Sequence, residues 1–98
     1  MYKDVINYQL ADGVDEAQLI DVAEKIVHDW MKKQKGFLGW EINQNEDGSY
    51  TDIVSWESAD AAKKAELAMV NIPNAGDWYA CYNVESISSK KLTLKKRF

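Results

Sequence analysis

Val5, Ile6, Tyr8 and Leu10 stand among polar residues before an Asp12-Gly13 turn, which predicts a strand over Asp4 to Leu10. The period then changes. Leu19, Ile20, Ala23, Ile26, Val27, Trp30 and Met31 recur at three- and four-residue steps and form one apolar face of a helix. Asp15 suits the N-cap, Gln18 stands three residues on as a capping-box partner, and Val14 can staple onto Leu19. Lys32, Lys33 and Lys35 crowd the last turn, where the helix dipole is negative, and Gly36 suits the position just past the end.

Strand-like runs follow over Phe37 to Asn45 and Tyr50 to Trp56. The connection around Asp47-Gly48 is too short for anything but an antiparallel pair. Ser58 caps a second, alanine-rich helix that Pro73 stops, and the alanines let it lie close to whatever it covers. Asn74 to Tyr82 reads as irregular or one-turn helical, with Trp78, Tyr79 and Tyr82. A last strand is expected over Asn83 to Phe98, with a break at Ser88-Ser89; Leu92, Leu94 and Phe98 share one face and Lys91, Thr93 and Lys95 the other.

The order β-α-β-β-α-β, with right-handed crossovers, is that of an α+β, ferredoxin-like fold: a four-stranded antiparallel sheet with two helices on one face. At 98 residues the chain is one domain, residues 1–98, because two cores would each be too small to offset their ordering entropy. Two helices leave the other sheet face uncovered. A second copy of the chain is its expected cover. Four Trp, five Tyr and two Phe are more aromatic area than a small monomer hides easily, so some should line a pocket or an interface.

Charge refines the picture. The net −4 conceals a basic tail, Lys90, Lys91, Lys95, Lys96 and Arg97, on a body whose residues 1–89 hold seven basic against all sixteen acidic residues, a formal −9. So acidic a body argues against nucleic-acid binding, and the tail reads as neutralising an acidic neighbour or keeping a sheet edge soluble. No apolar run has the length of a membrane span or signal peptide, so no membrane association and a cytoplasmic location are expected. Cys81 is the sole cysteine, which excludes an intrachain disulfide and a thiolate cluster.

In element order, in Lys35-Gly36-Phe37 entering the second strand and in Trp56-Glu57-Ser58 leaving the third, the chain resembles the dimeric α/β-barrel superfamily, which includes antibiotic-biosynthesis and haem-degrading monooxygenases. The resemblance implies two sheets packed face to face and a cavity in each subunit between sheet and helices. From the cofactor-free oxygenases of that group it carries over a polar residue on the first strand, here Asn7, and the Trp ending the third, Trp56, as ligand-binding residues. The haem-degrading branch has a histidine on the second helix. Ala59 to Pro73 contain none, and Glu66 stands near that place.

Fold analogy alone does not supply an activity. Asn7 is either an exposed strand position or an inward hydrogen-bonding group, and Trp56 is core as well as candidate site. Trp40, beside Gly39, sits either on the dimer face or on the helix side, and Trp78, Tyr79 and Tyr82, after Pro73 and Gly76, either cover an open core edge or form a ligand lid. His28 falls beside Asp21, Glu24, Lys25 and Lys32, off the apolar stripe, and is expected to face water; Cys81 is expected to be a small buried thiol. One histidine with scattered acids makes no metal site, and neither metal nor cofactor is expected. The reading is a homodimer that holds a small apolar or aromatic molecule, with cofactor-independent oxidation of a phenol or quinol as the chemistry its residues permit. The alternative is a non-enzymatic binding or interaction module with a packed interior, and a roomy cavity with Asn7 pointing into it would separate the two.

Overall fold

The computed structural model describes residues 1–98. Its strands are β1 (Tyr2–Tyr8), β2 (Phe37–Gln44), β3 (Tyr50–Trp56) and β4 (Ser88–Thr93), and its helices α1 (Glu16–Asp29), α2 (Ala59–Ala68) and the short α3 (Ala75–Tyr79). The sheet is antiparallel throughout, in the order β2-β3-β1-β4, which is the ferredoxin-like arrangement. Asp15 caps α1 through its carboxylate, which accepts the Gln18 amide at 2.8 Å, and Ser58 does the same for α2 from Ala61 at 3.1 Å. Asp47 organises the hairpin by accepting the Ser49 amide at 2.9 Å, beside Gly48 at φ +90°.

Two expectations change at the chain's ends. β1 starts at Tyr2 and ends at Tyr8, with Leu10 making only an isolated bridge to Tyr82. The expected last strand, Asn83 to Phe98, shortens to Ser88–Thr93: Val84–Ser86 form a 3-10 turn, and residues 94–98 run past the end of the neighbouring β1, where only the Leu94 amide still finds a partner, Met1 O at 3.0 Å. Without strands on either side, the remaining tail has no ladder to join.

Gly36 shows why a glycine stands before β2. Its φ is +85°, and a Cβ there would lie 2.6 Å from Ala61 Cβ on α2. The alanine-rich helix therefore touches the backbone entering the sheet, with Ala62 and Ala65 buried beneath it. Ile26, Trp30 and Met31 from the first helical segment meet Val54 and Trp56 from β3 in one core cluster; Tyr8, Leu19, Tyr50 and Cys81 form a second.

Strand alternation decides what faces the helices. Buried Tyr8 pairs with buried Tyr50, and Tyr2 with buried Trp56, so the even-numbered positions of β1 and β3 point to the helix layer. The odd-numbered ones, among them Val5, Asn7, Thr51 and Ile53, occupy the face that no helix covers. No helix is long and apolar enough to cross a membrane.

Candidate functional site

Three of the four even positions of β3, Tyr50, Val54 and Trp56, are what an inward strand face should carry. The fourth is Asp52, a carboxylate with 1% of its surface exposed. An unpaired charge there would be costly, and its neighbours answer it. The Tyr8 hydroxyl donates to Oδ1 at 2.8 Å from β1, and the Trp40 indole N–H donates to Oδ2 at 3.1 Å from β2. Burial pushes the Asp52 carboxyl up to about 6, and the two donated bonds hold it from rising further. Burial, followed by the Asp52 charge, drives the Tyr8 and Tyr82 hydroxyls far above the usual phenol range, so both stay protonated, Tyr8 donating to Asp52.

Asp52 belongs to the wall of a cavity of about 190 Å³ between sheet and helices. Trp30, Met31, Val54, Ala62 and Ala65 give it apolar walls, and Trp40, Trp78 and Tyr82 enclose one side. At the rim stand Asp4, Glu66, Met69, Ser89 and Lys91, where Lys91 Nζ meets Asp4 Oδ1 at 2.9 Å. Trp56 is on the same strand face as Asp52, four residues on, roughly 13 Å along the strand. Its ring is 4% exposed and packs edge-on against Phe37 at 5.6 Å, yet its indole N–H has no hydrogen-bond partner.

Of the residues singled out in the sequence, the structure brings Trp40, Trp56, Trp78 and Tyr82 to this cavity. Trp78 packs against Trp40 with ring centroids 5.4 Å apart and planes inclined by 52°, and donates its indole N–H to Tyr82 Oη. Tyr79 is 60% exposed and outside the cavity wall, because the short helix turns it away from its neighbour Trp78. Asn7 is outside it as well. One residue from inward-facing Tyr8, it occupies the opposite sheet face, where its Oδ1 accepts the Thr51 hydroxyl. Asp52 and Tyr8 were missed as site residues. The available signal was an aspartate at an inward step of an otherwise apolar alternation, Tyr50, Asp52, Val54, Trp56.

The remaining candidates stay outside the chemistry. His28 is exposed on α1, with Nδ1 2.7 Å from Asp29 Oδ1. Cys81 is fully buried, its Sγ 3.4 Å from the Asp77 carbonyl, and burial raises its thiol pKa, which makes it inert. No group of three or more His, Cys, Asp or Glu side chains converges to hold a metal ion.

No protein-family model matches the chain, and no curated protein matches its sequence. Solved structures do. SnoaB, a cofactor-independent oxygenase from Streptomyces nogalater, superposes with a TM-score of 0.75 at 18% identity, over 98% of this chain and 94% of its own. The chain has the antibiotic-biosynthesis-monooxygenase-like fold. The ActVA-Orf6 monooxygenase of Streptomyces coelicolor, solved with nanaomycin D, matches with a TM-score of 0.75 at 17% identity over 99% of this chain and 89% of its own. A putative antibiotic biosynthesis monooxygenase from Bordetella bronchiseptica reaches 0.71 at 16% identity, over 97% of each chain. At such identities the likeness concerns the fold alone.

Proposed function

We propose that this protein binds a small arene bearing an acidic hydroxyl between its sheet and helices, and oxidises it with dioxygen without a cofactor. The observation that carries the reading is the buried Asp52 carboxylate in an apolar cavity, with its pKa near 6. A base poised near neutrality is largely ionised at pH 7 and still basic enough to take a proton from a phenol or quinol. The resulting aryloxide is electron-rich and reacts with dioxygen by itself, so the protein has only to hold it, exclude water and stabilise negative charge.

For a naphthoquinol the balance is closed: substrate and one dioxygen give a hydroxynaphthoquinone and one water. One oxygen atom enters the ring carbon and the other leaves as water. A cavity that retains free volume favours this reading over an interaction module with a packed interior.

A homodimer through the open sheet face belongs to the same proposal. Register places Lys90, Val5, Ile53 and Glu41 in one row across the four strands of that face. A two-fold axis along the strands would set β4 of one copy over β2 of the other. Lys90 then meets Glu41, and Val5 meets Ile53, in both halves at once.

Calorimetric titration with 2-naphthol tests the site. Binding should strengthen as pH rises through about 6 and Asp52 ionises, while Asp52→Asn binds at least about tenfold more weakly and without that dependence. Equal affinity and equal pH response in the two proteins would remove Asp52 from the site.

A further inference from the structure

We propose that Trp40 is the specificity-determining residue of the cavity: its ring closes the β2 side, so a ligand anchored at Asp52 can extend only toward the rim at Lys91. The inference rests on Asp52 as the anchor, and it concerns the shape of arene that fits.

A cavity of about 150 Å³ holds one benzene ring. At about 190 Å³, with a rim open at Met69 and Lys91, the interior takes one or two fused rings, and growth beyond that must leave through the rim. On the opposite side a second hollow of about 500 Å³ lies between α1 and β2, floored by Ile20, Ala23, Val27 and Ile42. Trp40 is the single residue common to both walls. Its ring is therefore a partition between a small interior cavity and a larger apolar groove.

The partition is held in place from three directions. Its N–H is bonded to Asp52 Oδ2 at 3.1 Å, its ring leans on Trp78 at 5.4 Å, and its backbone is paired opposite Val54 in the β2-β3 ladder. Swinging it aside would break the bond to the carboxylate that anchors the ligand, so binding and opening oppose each other. The consequence is regiochemical. An arene with its hydroxyl on a terminal ring can place that group at Asp52 and run toward Lys91. One whose hydroxyl sits on a central ring, with rings on both sides, must push a ring into Trp40.

Calorimetry with 2-naphthol and 9-phenanthrol separates these shapes. Burial alone favours 9-phenanthrol, which has the larger apolar surface. The wild type should nevertheless bind it at least about tenfold more weakly than 2-naphthol, the equivalent of about 1.4 kcal/mol. Trp40→Val, which keeps a strand-forming residue, and Trp40→Ala should both reverse that order, and Trp40→Phe should keep it because a six-membered ring still fills the gap. If the wild type prefers 9-phenanthrol, or if both truncated variants keep the wild-type ratio, the partition is wrong while Asp52 as anchor stands. If no hydroxyarene binds the wild type, the proposed function itself fails. Should Trp40→Ala not fold, Trp40→Val alone decides the ratio.

Discussion

Asp52 carries a cost that can be read as a function of pH. In the unfolded chain its carboxyl titrates near the usual 3.8, and in the folded protein near 6. Between those values the folded state binds more protons than the unfolded one, so stability must fall as pH rises through that window. Well below pH 3.8 both forms are protonated and the contribution vanishes; by about pH 7 it is nearly complete. The interval between 3.8 and about 6, at about 1.4 kcal/mol per pH unit, corresponds to about 3 kcal/mol of native-state stability given up at neutral pH. Asp52→Asn isolates it, because every other titrating group cancels in the comparison. The amide keeps the shape, its oxygen can accept from Trp40 and its NH₂ can donate to the Tyr8 oxygen, so the pocket remains satisfied. Urea unfolding of both proteins at pH 4 and pH 7 should show the variant gaining about 2.4 kcal/mol relative to wild type over that interval. A difference that does not change with pH, or that moves against the variant, would refute the burial of an ionised carboxylate at this position.

Other substitutions test the frame around it. Trp56→Ala should cost roughly 3 to 5 kcal/mol, read from urea midpoints, because the ring fills the core between β3 and the helices; an unmoved midpoint contradicts the packing. Gly36→Ala should destabilise by more than about 1 kcal/mol, since it combines a positive φ with a Cβ 2.6 Å from Ala61 Cβ, and a neutral result in thermal unfolding would show that α2 can shift freely. For the proposed dimer, Glu41→Lys should raise the dissociation constant in sedimentation equilibrium and the added Lys90→Glu should restore it; a monomeric wild type at micromolar concentration rejects that assembly.

The sequence carried the fold further than the site, for physical reasons. Caps at Asp15 and Ser58 and the turn at Asp47-Gly48 are local events, written in adjacent residues, and they fall where the residues say, whereas α2 ends at Ala68 and a 3-10 turn, Met69–Asn71, leads on to Pro73. The sense of a strand face is less secure, because a step of one residue reverses it. Val5, Ile6 and Tyr8 supply apolar groups to both faces of β1, so nothing local says that Tyr8 is inward and Asn7 outward. Pairing across three strands decides it. The resemblance to cofactor-free oxygenases pointed to a polar group in the cavity and placed it on β1 at Asn7, whereas the polar group lies on β3 at Asp52. Its donors, Tyr8 and Trp40, are 44 and 12 residues away in the chain, a contact that no local pattern records. The short β4 has a similar origin: alternation continues through Leu94, but the neighbouring strand has already ended.

The oxidation itself is tested most directly with oxygen-18-labelled dioxygen and a naphthoquinol, analysing the product by mass spectrometry and the solution for peroxide. The expected result is a hydroxynaphthoquinone carrying one labelled oxygen, little peroxide, and loss of this product with Asp52→Asn. Unlabelled naphthoquinone with stoichiometric peroxide, formed no faster than in buffer, would contradict it.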